Sequence, residues 1–314
     1  MTGLVLVTGA AGFIGSTLAE KLLASGADVI GVDAFTDNYP ASTKRENVSR
    51  LSTNRRFRLV EADLRTANID PLLDGVDGVI HLAALPGVRA SWGELFRAYA
   101  EHNVVATQRL LEAVRRHPVR RLVAASSSSI YGLPTRFPTP EDESPRPVSP
   151  YGVTKLAAEG LFHAYWASYR LPLVGLRYFT VYGPRQRPDM GIHAFFEAAK
   201  SGTPVKVYGT GEQTRDFTFV DDAVAATISA LTQPAVPGLT YNVGGGHRVS
   251  LNDLLARIEL VTGRPLERRL VAPPPGDPPD TSADVSRARR DLGYEPKTEL
   301  TEGLRRQWEW QRKS

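Results

Sequence analysis

Tyr151 and Lys155 stand four residues apart behind Pro150, at the start of a helical pattern, so both side chains fall on one face of that helix. A phenol beside an ammonium can take a proton from a substrate hydroxyl. Free tyrosine ionises near ~10, and bringing it to neutrality takes about 4 kcal/mol. One ammonium about 4 Å away, at an effective dielectric of ~20, supplies about that much, and a cationic cofactor adds to it. A Tyr and a Lys at this spacing are common, so their surroundings decide. Ser126-Ser127-Ser128-Ser129 closes a β-branched stretch, where a hydroxyl can hydrogen-bond the reacting oxygen. At least two of the four read as an ordinary serine-rich turn.

A second constellation suits a dinucleotide. Thr8-Gly9-Ala10-Ala11-Gly12-Phe13-Ile14-Gly15 follows a strand directly and opens a helix. Gly9 can make the tight turn, Gly12 lets the backbone approach a pyrophosphate, and Gly15 lets helix pack on strand. The N–H groups of the helix start, at Phe13 and Ile14, are free to meet the anion. Asp33 ends the second strand, where a carboxylate accepts from ribose hydroxyls and repels a 2'-phosphate, favouring NAD over NADP. Asp63 and Leu64, past the third strand, would lie near adenine, although an Asp there equally caps a turn.

The elements that must hold these groups alternate. Short β-branched runs at Leu4 to Val7, Val29 to Val32, Arg58 to Val60, Gly78 to Leu82, Arg121 to Ala125 and Leu173 to Leu176 are separated by helical patterns. Leu18, Leu22 and Leu23 followed by Gly26 read as one such helix with its stop. This is the signature of an α/β fold: a doubly wound parallel Rossmann sheet, here with a smaller C-terminal substrate-binding domain. The expected division gives 1–178 plus about 217–243 to the NAD-binding domain, and about 179–216 plus 244–314 to the smaller one. The stretch Pro273-Pro274-Pro275-Gly276-Asp277-Pro278-Pro279 reads as an extended surface or cleft-lining segment.

Composition narrows the class further. The 314 residues exceed a single small core, and 42% hydrophobic content is that of an ordinary globular protein. A net charge of +4, from 38 basic and 34 acidic residues without a long basic run, gives no reason to expect nucleic acid. No stretch approaches the ~20 apolar residues of a membrane span. The apolar opening Met1 to Val7 lacks a basic leader and reads as a buried strand. With no cysteine and no histidines three or four apart, neither a thiolate nor a helical His pair is available, and no metal is expected. A reducing compartment, the cytoplasm, is the natural assumption.

Together the glycine turn, His81-Leu82-Ala83-Ala84, the serines before Ile130-Tyr131-Gly132, and the Tyr/Lys pair resemble the extended short-chain dehydrogenase/reductase family. The segments Gly211 to Phe217, Val220-Asp221-Asp222 and Tyr241-Asn242-Val243-Gly244 are similar to its nucleotide-sugar enzymes. The resemblance implies NAD as cofactor, a UDP-sugar as substrate and a homodimer formed through helices around 101–117 and 151–168. It makes Tyr151 the base, Ser127 the catalytic hydroxyl and Lys155 a holder of the nicotinamide ribose. It adds Leu82, Ala83, Ala84, Asn103 and Tyr178 to the cofactor side, with Asn103 equally readable as a helix cap. Arg215 matches an arginine on the nucleotide diphosphate, with Gln213 close by; Asp277 and Asp280 would line the uridine cleft, and Arg89 would face the substrate.

The residues around the pair discriminate among reactions. Elimination of water needs an acid and a base beside the sugar, and this chain has Ser128 and Ser129 where dehydratases carry acids; decarboxylases commonly carry a Glu at the second. An epimerase needs neither. Arg177-Tyr178-Phe179-Thr180-Val181-Tyr182-Gly183-Pro184-Arg185-Gln186-Arg187-Pro188-Asp189-Met190 is most similar to the UDP-glucuronate 4-epimerase branch. So is Asp33 to Tyr39 followed by Lys44-Arg45. Thr180 and the planar fork of Arg187 suit a carboxylate at C6. UDP-glucose 4-epimerase, UDP-glucuronate decarboxylase and a non-catalytic NAD-binding regulator remain the alternatives.

Overall fold

The computed structural model describes residues 3–234 and 237–313; Met1 and Thr2 of the opening apolar stretch lie outside them. In chain order the strands are β1 (Leu4–Thr8), β2 (Asp28–Asp33), β3 (Phe57–Glu61), β4 (Gly78–His81), β5 (Arg121–Ser127), β6 (Leu173–Tyr178), β7 (Thr180–Tyr182), β8 (Val205–Tyr208), β9 (Thr214–Phe219), β10 (Thr240–Val243), β11 (Arg248–Ser250) and β12 (Arg268–Val271). The α-helices are α1 (Phe13–Ala24), α2 (Ala41–Ser49), α3 (Phe96–Ala100), α4 (Ala106–Arg116), α5 (Pro150–Tyr169), α6 (Gly191–Ser201), α7 (Val220–Thr232), α8 (Leu251–Thr262), α9 (Ser286–Leu292) and α10 (Leu300–Gln311). A π-helical turn, Glu101–Val105, joins α3 to α4.

Seven strands make one parallel sheet in the order β10-β6-β5-β4-β1-β2-β3. All six expected strands are in it. Their near-continuous apolar runs reflect burial on both faces. Val5 and Val7 of β1 join one core cluster with α1 and α7, whereas Leu6 between them joins the other with α4 and α5. Strand order reverses between β1 and β4, so the crevice for a ligand opens at the carboxyl ends of those two strands.

Only Phe179 separates β6 from β7, and β7 pairs with β9 in a three-stranded sheet, β11-β9-β7, while β12 and β8 form a third. The chain therefore passes from the carboxyl edge of the large sheet straight into the smaller ones. The proline-rich segment crosses to the same side. Gly276 comes so close to Val88 and Ser149 that an added Cβ would lie 3.3 Å from each, and Arg89 pairs with Asp277 at 3.0 Å.

Candidate functional site

The turn after β1 has the form a phosphate site requires. Gly9 N donates to Val32 O at 2.8 Å with φ of +70°, and a Cβ there would lie 2.9 Å from Ala83 N. At Gly15 a Cβ would meet Gly9 O at 2.1 Å, so helix and turn are in direct backbone contact. Gly12 differs. Its φ of −73° suits any residue, and a Cβ would approach only Gly9 O, at 3.2 Å. Internal packing thus explains Gly9 and Gly15, whereas Gly12 leaves room for something that is not protein. No side chain caps α1, so the N–H groups of Phe13, Ile14 and Gly15 face that room.

Asp33 is held with both oxygens engaged by backbone, Oδ2 accepting from Ala11 N at 2.9 Å and Oδ1 from Phe35 N at 2.8 Å. Each oxygen retains a lone pair for a ribose hydroxyl. The nearby cations are committed elsewhere. Lys44 donates to Thr36 and Asn38, and Arg45 lies over the Phe35 ring and pairs with Glu61 at 3.1 Å. Neither waits for a 2'-phosphate, in keeping with a ribose that carries none. Asp63 is bound by Arg65 through side chain and backbone, which holds its carboxyl below the usual range, so its carboxylate makes a turn and an ion pair while Leu64 is buried in the core.

Leu82, Ala83 and Ala84 follow β4, and the first two donate their N–H groups to Thr8 Oγ1 at 3.2 Å each. Thr8 also lies 2.8 Å from His81 Nδ1, while His81 Nε2 lies 3.0 Å from Thr107 Oγ1. Thr107 donates to Asn103 O, so it accepts from Nε2–H and leaves Nδ1 to accept from Thr8. Burial brings the His81 pKa down to about 3, and the imidazole is neutral. Asn103 is no cap. It lies inside the π turn, accepts from Leu85 N at 2.7 Å, and donates to Leu85 O and Thr154 Oγ1 at 3.0 Å each. It ties the loop after β4 to α5 between Tyr151 and Lys155.

Helix α5 starts where the sequence puts it, with Ser149 Oγ accepting from Gly152 N at 3.1 Å and Pro150 in the first turn. Ser91, buried and unremarked in the sequence, accepts from Tyr151 N at 3.0 Å. The Ser127 hydroxyl is in reach of the Tyr151 phenol, and its Oγ accepts from Ser129 N and donates to Ser129 Oγ, both at 3.1 Å. Ser128 and Ser129 form the short turn beyond β5, half-buried at the crevice, while Ser126 alternates to the opposite face.

Burial raises the Tyr151 pKa, and the nearby Ser127 hydroxyl and the charge of Arg187 pull it back. Lys155 is buried one turn further along the same helix. Its Nζ donates to Ala125 O at 3.1 Å, and burial lowers its own pKa to about 8 against the charge of Glu159, which raises it. Two of its three donors are left for ribose hydroxyls. Glu159 in turn forms a buried pair with Arg177 at 2.8 Å, and Arg177 also donates to Tyr131 Oη and Glu141 O.

Arg185 and Arg187 part company. Arg185, with φ of +69°, pairs with Glu20 of α1 at 2.8 Å. Gln186 between them is buried and pins the loop, donating to Val181 O and accepting from His193 N and Gln307 Nε2. Arg187 turns into the crevice, where its charge acts on Tyr39, Tyr99 and Tyr151. Its fork is not empty: Nε and Nη2 donate to Asp189 at 2.9 and 3.0 Å. Thr180, half-buried, opens β7 beside it in the chain's path.

The far end of the crevice gathers Arg89, Arg215, Asp277 and Asp280. Arg89 lies over the Tyr208 ring, 4.1 Å from its centroid, and Arg215 donates to Thr214 O and Pro279 O with Asp277, Asp280 and Arg89 in electrostatic reach. Asp280, expected to face ligand, is bound instead by Thr214 N, Thr214 Oγ1 and Arg248. Gln213 donates one amide N–H to Tyr208 O at 2.7 Å, and the Tyr178 phenol is buried against Thr227 at 2.6 Å. Sequence reasoning passed over Tyr208 and Arg248. The signal for Tyr208 was an aromatic closing a strand just before Gly209.

The profile of the "NAD dependent epimerase/dehydratase family" matches residues 5–244. The chain belongs to this family. A UDP-glucuronic acid 4-epimerase from Bacillus cereus, solved in complex with UDP-glucuronic acid and NAD, is 41% identical with a TM-score of 0.96, covering 99% of each chain. A Bacillus subtilis protein described as an uncharacterized UDP-glucose epimerase, YtcB, is 46% identical over 96% of this chain and 95% of its own. A UDP-glucuronate 4-epimerase from Thermodesulfobacterium geofontis is 37% identical over 99% and 97%. Family membership makes NAD the cofactor, and the Gly12 opening, the uncapped α1 and Asp33 fit it.

Proposed function

We propose that this protein interconverts UDP-glucuronate and UDP-galacturonate by redox-neutral 4-epimerisation. The observation that carries the reading is Arg187, whose fork is held by Asp189 with its charge in reach of Tyr151, in a site with serines at 128 and 129 where elimination would need acids. Tyr151 takes the proton of the sugar 4'-hydroxyl while Ser127 hydrogen-bonds the same oxygen. NAD, which the glycine turn after β1 and Asp33 would hold, would supply the redox chemistry at C4', taking up hydride and giving it back to the other face. Lys155 holds the nicotinamide ribose, Asp33 the adenosine ribose, and Arg215 the diphosphate.

The 4-keto sugar is a β-keto acid, prone to lose carbon dioxide. Arg187, with Thr180 and the serines, holds the carboxylate charged and keeps the C5–C6 bond out of line with the ketone π system. UDP-glucose is the second reading, because the YtcB relative carries that description and the paired Arg187 and Asp189 present a neutral wall to an uncharged C6. Incubation of the purified protein with UDP-glucuronate, followed by NMR, decides between them. A galacturonate signal is expected, a pentose signal means decarboxylation, and an unchanged spectrum rejects the uronate reading.

The same reading divides the chain into a cofactor lobe, 1–178 with about 217–243, and a nucleotide-sugar lobe, about 179–216 with 244–314. A second copy docking on α4 and α5 accounts for the exposed Val105, Val153 and Tyr169. No helix among the described residues is long and apolar enough to cross a membrane, and a cysteine-free chain acting on nucleotide sugars suits the cytoplasm.

A further inference from the structure

Asp189 grips Arg187 from the side. The bonds run from Nε to Oδ1 and from Nη2 to Oδ2, at 2.9 and 3.0 Å, which fixes the plane and rotation of the guanidinium. A planar fork held on that edge still offers its end, Nη1 with the second hydrogen of Nη2, to another carboxylate. The arginine side chain is 17% exposed and Asp189 48%, so the cation sits in the crevice while its partner stands at the water's edge. The loop below cannot drift, because Gln186 is buried and bonded to β7, α6 and α10, and Met190 N closes a turn on Arg187 O. Lys44, the other cation near Tyr39, is committed to Thr36 and Asn38. Arg187 is therefore a cation aimed by a carboxylate two residues along the chain.

We infer that Asp189 is a positioning residue that aims the end of the Arg187 fork at the substrate carboxylate, and so sets how much of the keto uronate is lost as carbon dioxide. The inference rests on the uronate reading above. In the unwanted step the C5–C6 bond breaks and carbon dioxide departs. The bond pair enters an enolate across C4 and C5, water returns a proton to C5, and hydride return to C4 then leaves a UDP-pentose. A guanidinium free to rotate lets the carboxylate swing into line with the ketone.

The test is the pentose share of product from UDP-glucuronate, by NMR, for wild type, Asp189→Asn, Asp189→Ala, Arg187→Ala and the double variant R187A/D189A. Loss of an orienting pair worth about 1 kcal/mol corresponds to about fivefold. The pentose share should rise about that much in D189A, less in D189N, which keeps one acceptor, and KM for the uronate should rise with it. UDP affinity should stay within about twofold, showing an intact nucleotide site, and adding D189A to R187A should change nothing further. An unchanged pentose share with an unchanged or lower KM makes Asp189 a bystander or a competitor and overturns the inference, as does an additive double variant. A wild type that leaves UDP-glucuronate untouched overturns the uronate reading itself, and this inference with it.

Discussion

Lys155 keeps its ammonium below about pH 8 and loses it above, because burial favours the neutral amine and only Glu159 opposes that. Glu159→Gln removes the opposition. The alkaline limb of kcat/KM, which reports the free enzyme, should move to lower pH by about half a unit or more. Melting recorded in parallel should fall, since Arg177 loses a buried partner, by about 3 kcal/mol in stability. A limb that stays in place would show that Glu159 serves the fold alone. Tyr151→Phe should lower kcat about 10³-fold while UDP-sugar binding, followed by calorimetry, persists. What was legible at this scale was placement that backbone or spacing dictates: the glycine turn between β1 and α1, Asp33 at a strand end, Ser127 at the end of β5, and Tyr151 and Lys155 on one helix. The partners of Asp280, Gln213 and Tyr178, which are Arg248 and Thr214, Tyr208 O and Thr227, were not legible because they arrive from elements that no spacing rule connects. The pairing of the Arg187 fork with Asp189 was not legible in the sequence.

His81 joins three elements, the end of β4 to the glycine turn through Thr8 and to α4 through Thr107. Its folded pKa of about 3 lies below the ordinary ~6.5 of the unfolded chain, so between those values the unfolded state binds a proton that the folded state refuses. Stability contributed by this group is present above about 6.5 and is lost as pH falls, at about 1.4 kcal/mol per unit. Urea unfolding at pH 6.5, 5.5 and 4.5 should therefore slope more steeply for wild type than for His81→Gln, even though the variant starts lower. Equal slopes would falsify the buried-neutral assignment. Elements read from sequence held where a run was long enough to show its period. β10 escaped as a strand because four residues arriving after a detour through the smaller sheets show their role only in pairing with β6. The π turn at Asn103 escaped because one inserted residue barely disturbs helical periodicity, yet it is what turns the amide toward Leu85 and Thr154.

At the scale of the molecule, α3, the π turn and α4 pack along α5, and this outer surface keeps Leu95, Phe96, Val105, Val153 and Tyr169 exposed at 42–55%. Single exposed apolar residues need no explanation, but a set of them on adjacent helices that carry Tyr151 and Lys155 from behind does. An isologous four-helix contact between two copies would cover it, with Val105 and Val153 near its middle. Val105→Glu with Val153→Glu brings four carboxylates into that contact, and like charges desolvated together oppose association strongly. Sedimentation should give twice the chain mass for wild type and the single chain mass for the double variant. Activity should fall with dissociation rather than with the substitutions, so diluting wild type below its dimer constant should lower specific activity in the same way. If the double variant sediments as a dimer, the contact lies on another face and α5 is steadied by its own packing against β5 and β6 alone.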